Sequence, residues 1–178
     1  MPFGRGALRR GGAPSLFAGR PVSFCLPMKT LDQPETLAEL KARLRSLQPD
    51  APRRWGTLTP GEMLCHLADA NAGPLARRNP LAVRSRRVPL LKWIALYPPL
   101  PWPRGIKTRP EVDPRAKGTK PGSFAADLDR AIAGLEAFAK AEAADLAPDH
   151  FVFGPMTLRA WKRWAYRHTD HHLRQFGL

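Results

Sequence analysis

The groups that could do chemistry in this chain of 178 residues are gathered at its end. Residues 157–178 read TLRAWKRWAYRHTDHHLRQFGL, placing His168, His171 and His172 just before Gln175. Neutral imidazole is a good ligand for divalent transition metals. In a helix, at about 100° per residue, His168 and His172 lie about 40° apart and one turn from each other. Both can then reach one metal ion from a single face, the arrangement of helical zinc sites. His171 points about 60° to the other side of His168. A single histidine here would read as a core residue; a pair at ligand spacing points to a metal.

The helix that must position them is legible. Gly154-Pro155 breaks the preceding structure, Thr157 is an N-cap and Gly177 a stop. Leu158, Trp161, Ala165, His168, His172 and Gln175 alternate in steps of three and four, which defines one helix face. The histidines therefore share the inward face with Trp161. Arg159, Lys162, Arg163 and Arg174 are expected on a solvated opposite face.

Three further helices are expected to complete the core, giving an all-α bundle. Leu31–Gln48 carries Leu37, Leu40, Leu44 and Leu47, with Asp32 to Glu35 resembling a capping box. The next begins at Thr59-Pro60-Gly61-Glu62, another capping box with proline at the first helical position. Its Met63, Leu64, Leu67 and Ala70 face inward, and His66 borders that face. Alone, His66 reads as a core histidine. Asp69 could hold an imidazole from behind. A further helix opens at Gly122 or Ser123 and runs to about Ala144, with Phe124, Leu128, Ile132, Leu135 and Phe138 at helical spacing.

The connections are less regular. Trp55, in the Arg53–Gly56 connector, is expected to pack against the bundle. Between Gly73 and Gly122 the chain is rich in proline and cations: Arg77 to Lys120 holds twelve basic residues against Glu111 and Asp113. A short helix is expected at Pro89–Tyr97 and an extended run at Leu100–Gly105. A long irregular connection of this kind is commonly functional. It could wall a pocket, or, with Trp93, Tyr97 and Trp102 among cations, serve as a nucleic-acid arm. His150 lies in the loop before the last helix, at a bundle mouth or capping local carbonyls.

Composition sets the outer bounds. A hydrophobic fraction of 43% permits a real core. No segment approaches the roughly 18 unbroken apolar residues of a membrane span. Cys25 and Cys65 form no C-x-x-C pair, which fits a reducing cytoplasm. A net charge of +14 attracts nucleic acid, anionic membranes or acidic small molecules, although an arginine-rich composition gives the same charge without function. Residues 1–27 show no period, and Arg20 interrupts the only apolar run after Arg9-Arg10. They are read as a disordered extension, with Met28 a candidate initiator and the domain spanning 28–178. No phosphate-loop, dinucleotide or nucleophile-elbow pattern occurs. Cys65 and His66 are adjacent in sequence but diverge by about 100° on a helix, so they make no catalytic pair.

His66-Leu-Ala-Asp69 together with His168-Thr-Asp-His171-His172-Leu-Arg-Gln175 resembles the DinB-like (YfiT-like) superfamily of four-helix bundles. Trp55-Gly56, Leu100-Pro-Trp-Pro103, His150 to Pro155 and the ending Gln175-Phe-Gly177 are similar to one family within it. The resemblance covers about Met28 to Leu178, and the H-x-x-x-H-x-x-Q ending is its specific part. It implies a divalent metal, zinc or nickel foremost, held by His66, His168 and His172. It also implies metal-dependent transferase or hydrolase chemistry on a small molecule, since the superfamily includes enzymes that use low-molecular-weight thiols. His150, His171 and Gln175 are the candidate catalytic or orienting residues.

The implied partners are a small-molecule substrate, anionic or a low-molecular-weight thiol, and a second copy of the chain in a homodimer. No membrane partner is expected. The alternative is a non-enzymatic basic module for nucleic acid or a protein partner, with purely structural histidines. Residues 1–27 have little apolar surface to bury. A chain begun at Met28 is therefore expected to melt close to the full-length protein in a calorimetric scan; a large loss of stability would show the extension is packed.

Overall fold

The computed structural model describes Met1 and residues 28–76 and 88–178. The extension with Cys25, and Arg77, Arg78, Arg84, Arg86 and Arg87 of the basic connector, lie outside the described residues. The elements are α1 (Pro34–Ser46), α2 (Pro60–Leu75), α3 (Val88–Leu96), a 3-10 turn (Pro110–Val112), α4 (Phe124–Lys140), β1 (Asp149–His150), β2 (Gly154–Pro155) and α5 (Leu158–Gln175). The two strands form one antiparallel ladder, with Asp149 opposite Pro155 and His150 opposite Gly154. The fold is all-α: α1, α2, α4 and α5 make a bundle, α2 packing on α4, α4 on α1, α1 on α5 and α5 on α2. The short α3 lies on the outside of α5.

The helix starts follow local chemistry. Thr59 caps α2 as expected: its Oγ1 accepts from the Glu62 amide at 3.3 Å, and the Glu62 carboxylate accepts from the Thr59 amide at 2.8 Å. Ser123 and Thr157 cap α4 and α5 by accepting from the Ala126 and Ala160 amides, without a reciprocal carboxylate. The expected box at Asp32 does not form. Pro34 disfavours helical geometry in the residue before it, so Gln33 is extended (φ −77°, ψ 122°) and takes the N-cap position. Its side-chain oxygen accepts from the Thr30 amide at 3.1 Å and the Thr36 hydroxyl at 3.0 Å. The helix thus starts at Pro34 rather than Leu31.

The larger departure concerns α5. Arg159 and Arg174 are exposed, but Lys162 and Arg163 are buried rather than solvated. α5 touches α1, α2, α3 and α4, so little of its circumference is left for water. Lys162, at 2% exposure, donates to the carbonyls of Phe138, Ala139 and Ala141, at 2.6, 2.8 and 2.6 Å. Those carbonyls are at the C-terminal end of α4, where the helix leaves unpaired acceptors and a partial negative charge. The helix accordingly ends at Lys140 rather than near Ala144. Burial pushes the Lys162 pKa down, yet its three protons each meet a carbonyl, which holds the ammonium form.

Arg163 Nε donates to the Leu96 carbonyl at 2.6 Å, and its NH1 to the Lys29 carbonyl at 2.6 Å. Arg167 donates to the Leu100 carbonyl. The basic side of α5 is therefore a set of clamps on α3, the connector and the entry to the domain. Replacing Lys162 by Met is expected to cost about 3 kcal/mol by denaturant unfolding, because a charged donor to three helix-end carbonyls is lost. Arg159→Ala, on the exposed part of the same helix, should stay within about 0.5 kcal/mol.

Candidate metal centre

His66 comes from the middle of α2, and His168 and His172 from consecutive turns of α5. One ligating nitrogen from each lies within 4.8 Å of the others. His66 and His172 are buried; His168 is half-buried as a residue, while its Nδ1 has no solvent contact. The rings meet nearly edge to face: His66 to His172 at 4.6 Å, His66 to His168 at 5.0 Å and His168 to His172 at 4.7 Å between centroids.

Hydrogen bonds fix which nitrogen of each ring points inward. His66 Nδ1 is 2.8 Å from the Val112 carbonyl. A carbonyl only accepts, so Nδ1 carries the proton and Nε2 presents a lone pair. His172 Nδ1 lies 2.9 Å from Gln175 Oε1, which fixes the same tautomer. His66 Nε2 faces His168 Nε2 at 3.1 Å, a pair that can share one proton or one cation. His168 Nδ1 has no hydrogen-bond partner, and Trp164 stacks on the ring at 4.9 Å.

Burial is the first cause pushing the pKa of all three down, and for His168 and His172 neighbouring imidazoles push in the same direction. The Val112 carbonyl opposes the shift at His66, and Gln175 at His172. The cluster is neutral at pH 7, the ligating form of imidazole. The donor set, its burial and its outer hydrogen bonds fit a divalent metal ion.

The connector supplies what the sequence did not disclose. Val112 belongs to the 3-10 turn, and two clamps on α2 hold that turn in place. Arg115 pairs with Glu62 at 2.7 Å, pulling the Glu62 carboxyl down to about 2. Asp69 accepts from the Thr119 amide at 2.7 Å and its hydroxyl at 2.8 Å, and pairs with Arg130 at 3.4 Å. Asp69 therefore anchors the connector rather than bonding an imidazole, because Val112 already occupies His66 Nδ1. A backbone carbonyl carries no residue-type signature, so no motif could have pointed to Val112.

Gln175 is placed by Trp55-Gly56. Gly56 adopts φ +83°, and a Cβ there would come within 2.6 Å of Gln175 Nε2. The Gln175 carbonyl also accepts from the Arg54 amide at 2.6 Å. Trp55 packs edge-on to His171 at 4.7 Å. Trp102 lies 6.1 Å from His168 and 5.7 Å from His171, its indole N–H donating to the Ala95 carbonyl at 2.6 Å. Trp102 of the Leu-Pro-Trp-Pro run therefore lies against His168 and His171.

His171 contacts His172 at 5.3 Å and is half-buried between these two indoles; burial takes its pKa down to about 4. His150 stands apart. Its Nδ1 accepts from the Val152 and Phe153 amides at 3.1 and 3.3 Å, so it orders its own loop through amides rather than carbonyls. It touches Trp164, which separates it from His168.

A helical bundle with three inward imidazoles from its second and last long helices defines a class of protein suited to binding a metal within the bundle. The chain belongs to the DinB superfamily, whose family model matches residues 29–176. No curated protein and no solved structure matches it.

Buried neutral histidines also set an acid sensitivity. His150 is buried with its pKa at about 3 against an ordinary value of 6.5, by desolvation first and then the Arg109 and Lys92 charges. A depressed folded pKa means the unfolded chain binds the proton first as pH falls. The contribution of His150 is thus full above about pH 6.5 and is lost progressively down to about pH 3. Denaturant-derived stability should fall across that window, and His150→Gln should flatten the slope by up to one proton while lowering stability at pH 7.

Proposed function

We propose that His66, His168 and His172 hold one divalent metal ion, zinc or nickel, and that the protein is a metal-dependent transferase or hydrolase acting on a small molecule. The observation that carries this reading is the convergence of three inward imidazoles, two with Nε2 lone pairs turned inward by Val112 and Gln175.

Three neutral ligands leave coordination positions open and leave the ion's charge uncompensated. That favours an anionic ligand, such as the thiolate of a low-molecular-weight thiol or an acidic substrate. A metal of this kind supplies Lewis acidity toward a water, a thiol or a polarisable substrate group. The chain's own residues do the rest. Gln175 and the Val112 carbonyl orient the ligating rings, as such outer partners do in metal sites. Trp102 and Trp164 exclude water around His168. His171, beside the ligand His172 at 5.3 Å, is the candidate residue to contact substrate next to the metal.

Protein purified without chelators is expected to carry about one divalent ion per chain by elemental analysis. His168→Ala and His172→Ala should each remove it, and Gln175→Ala should weaken binding about 10- to 100-fold. Trp102→Ala should keep the metal but alter binding of thiols or acidic ligands. Full metal retention in both histidine variants would sink the site.

A further inference from the structure

α3 is apolar toward solvent and carries one cation, Lys92, on its inner side. Toward the bundle it turns the buried Leu96, the half-buried Ala95 and Lys92, whose ammonium donates to the Pro155 carbonyl. Toward solvent it turns Leu90, Leu91, Trp93 and Ile94, with Leu90 63% and Trp93 57% exposed. At about 100° per residue these four cover a continuous arc of about 160°. Surface helices normally turn a polar face outward, and an apolar face is normally covered. Leu100 and Ile106, both exposed, extend the apolar run along the chain that follows.

The patch is anchored. Arg163 and Arg167 hold the Leu96 and Leu100 carbonyls from α5, and Trp102 bonds back to Ala95. The exposed leucines and Trp93 are therefore presented on a fixed platform.

Charge decides the occupant. Lys107 is exposed next to Ile106 in the chain, and Arg104, also exposed, stacks its guanidinium over Trp55 at 5.3 Å. A second copy would bring the same positive charge against it. Nucleic acid fits poorly, since Trp102 is turned onto the histidines and Tyr97 is half-buried, leaving Trp93 alone among aliphatic groups. An anionic lipid surface matches both features. Leucine, isoleucine and tryptophan enter the boundary between headgroups and acyl chains, while lysine and arginine meet the anionic headgroups. Among the described residues no helix is long and apolar enough to cross a membrane, so such contact lies in the plane of the surface.

Against the expectation of no membrane partner, we propose that α3 and the segment through Lys107 dock the protein on an anionic lipid surface. Docking places Trp102, which lies against His168 and His171, next to the lipid boundary.

The test is co-sedimentation of the full chain with phosphatidylcholine vesicles, with and without phosphatidylglycerol. Binding is expected to the anionic vesicles, to fall with salt, and to be about fivefold weaker in Lys107→Gln. The double variant Trp93→Glu, Ile94→Glu should lose binding while its melting temperature and metal content stay those of the parent. Trp93→Phe should bind as the parent does but lose part of the fluorescence blue shift on vesicle addition. Three results would each overturn the proposal: equal binding to both vesicles, no binding to either, or undiminished binding by the double-glutamate variant. A concentration-dependent dimer abolished by the same double variant, without vesicle binding, would assign the patch to a second copy instead.

Discussion

Everything in this structure depends on how one helix satisfies the polar groups it carries into the interior. α5 buries an ammonium, two guanidinium groups, an imidazole and an amide, and half-buries a second ligand-site imidazole. Removing ions from water costs several kcal/mol each unless they are paired or fully hydrogen-bonded. The partners here are mostly backbone carbonyls: the end of α4 for Lys162, α3 and the domain entry for Arg163, the connector for Arg167. Each is a free acceptor that would otherwise need water. The bundle is thereby tied at its irregular parts, where apolar packing has least to offer.

The same constraint shapes the histidine cluster. An imidazole placed in the core must be neutral, and its tautomer is set by whichever nitrogen finds a partner. Val112 and Gln175 take the Nδ1 protons of His66 and His172, and the remaining nitrogens converge. The connector is thus a structural component of the centre: Glu62 with Arg115, and Asp69 with Thr119, hold its 3-10 turn where His66 needs a carbonyl. Gly56 has a comparable part, because its positive φ and missing Cβ leave room for the Gln175 amide.

The bundle and the exposed patch meet at Trp102. Its indole N–H bonds α3, and its ring faces His168 and His171. Trp102 therefore touches both α3 and the histidine cluster, through one hydrogen bond and two ring contacts.

Much was legible in the sequence because it depends on neighbours along one helix. Period, capping residues and breakers specified the long helices, and i, i+4 spacing put His168 and His172 together. The Thr59 box and the Thr157 cap form as their residue types require. What the sequence could not decide was which side of α5 met water. Lys162 and Arg163 look solvated by type, yet they are buried because helix ends and the connector pack against that side and offer carbonyls. Asp69 looked like a partner for an imidazole and instead anchors the connector, because a carbonyl from Val112 had taken the ring nitrogen. Local order follows from side-chain type and spacing. The fate of a buried polar group is decided by backbone acceptors distant in sequence, and these acquire positions only when the chain is folded.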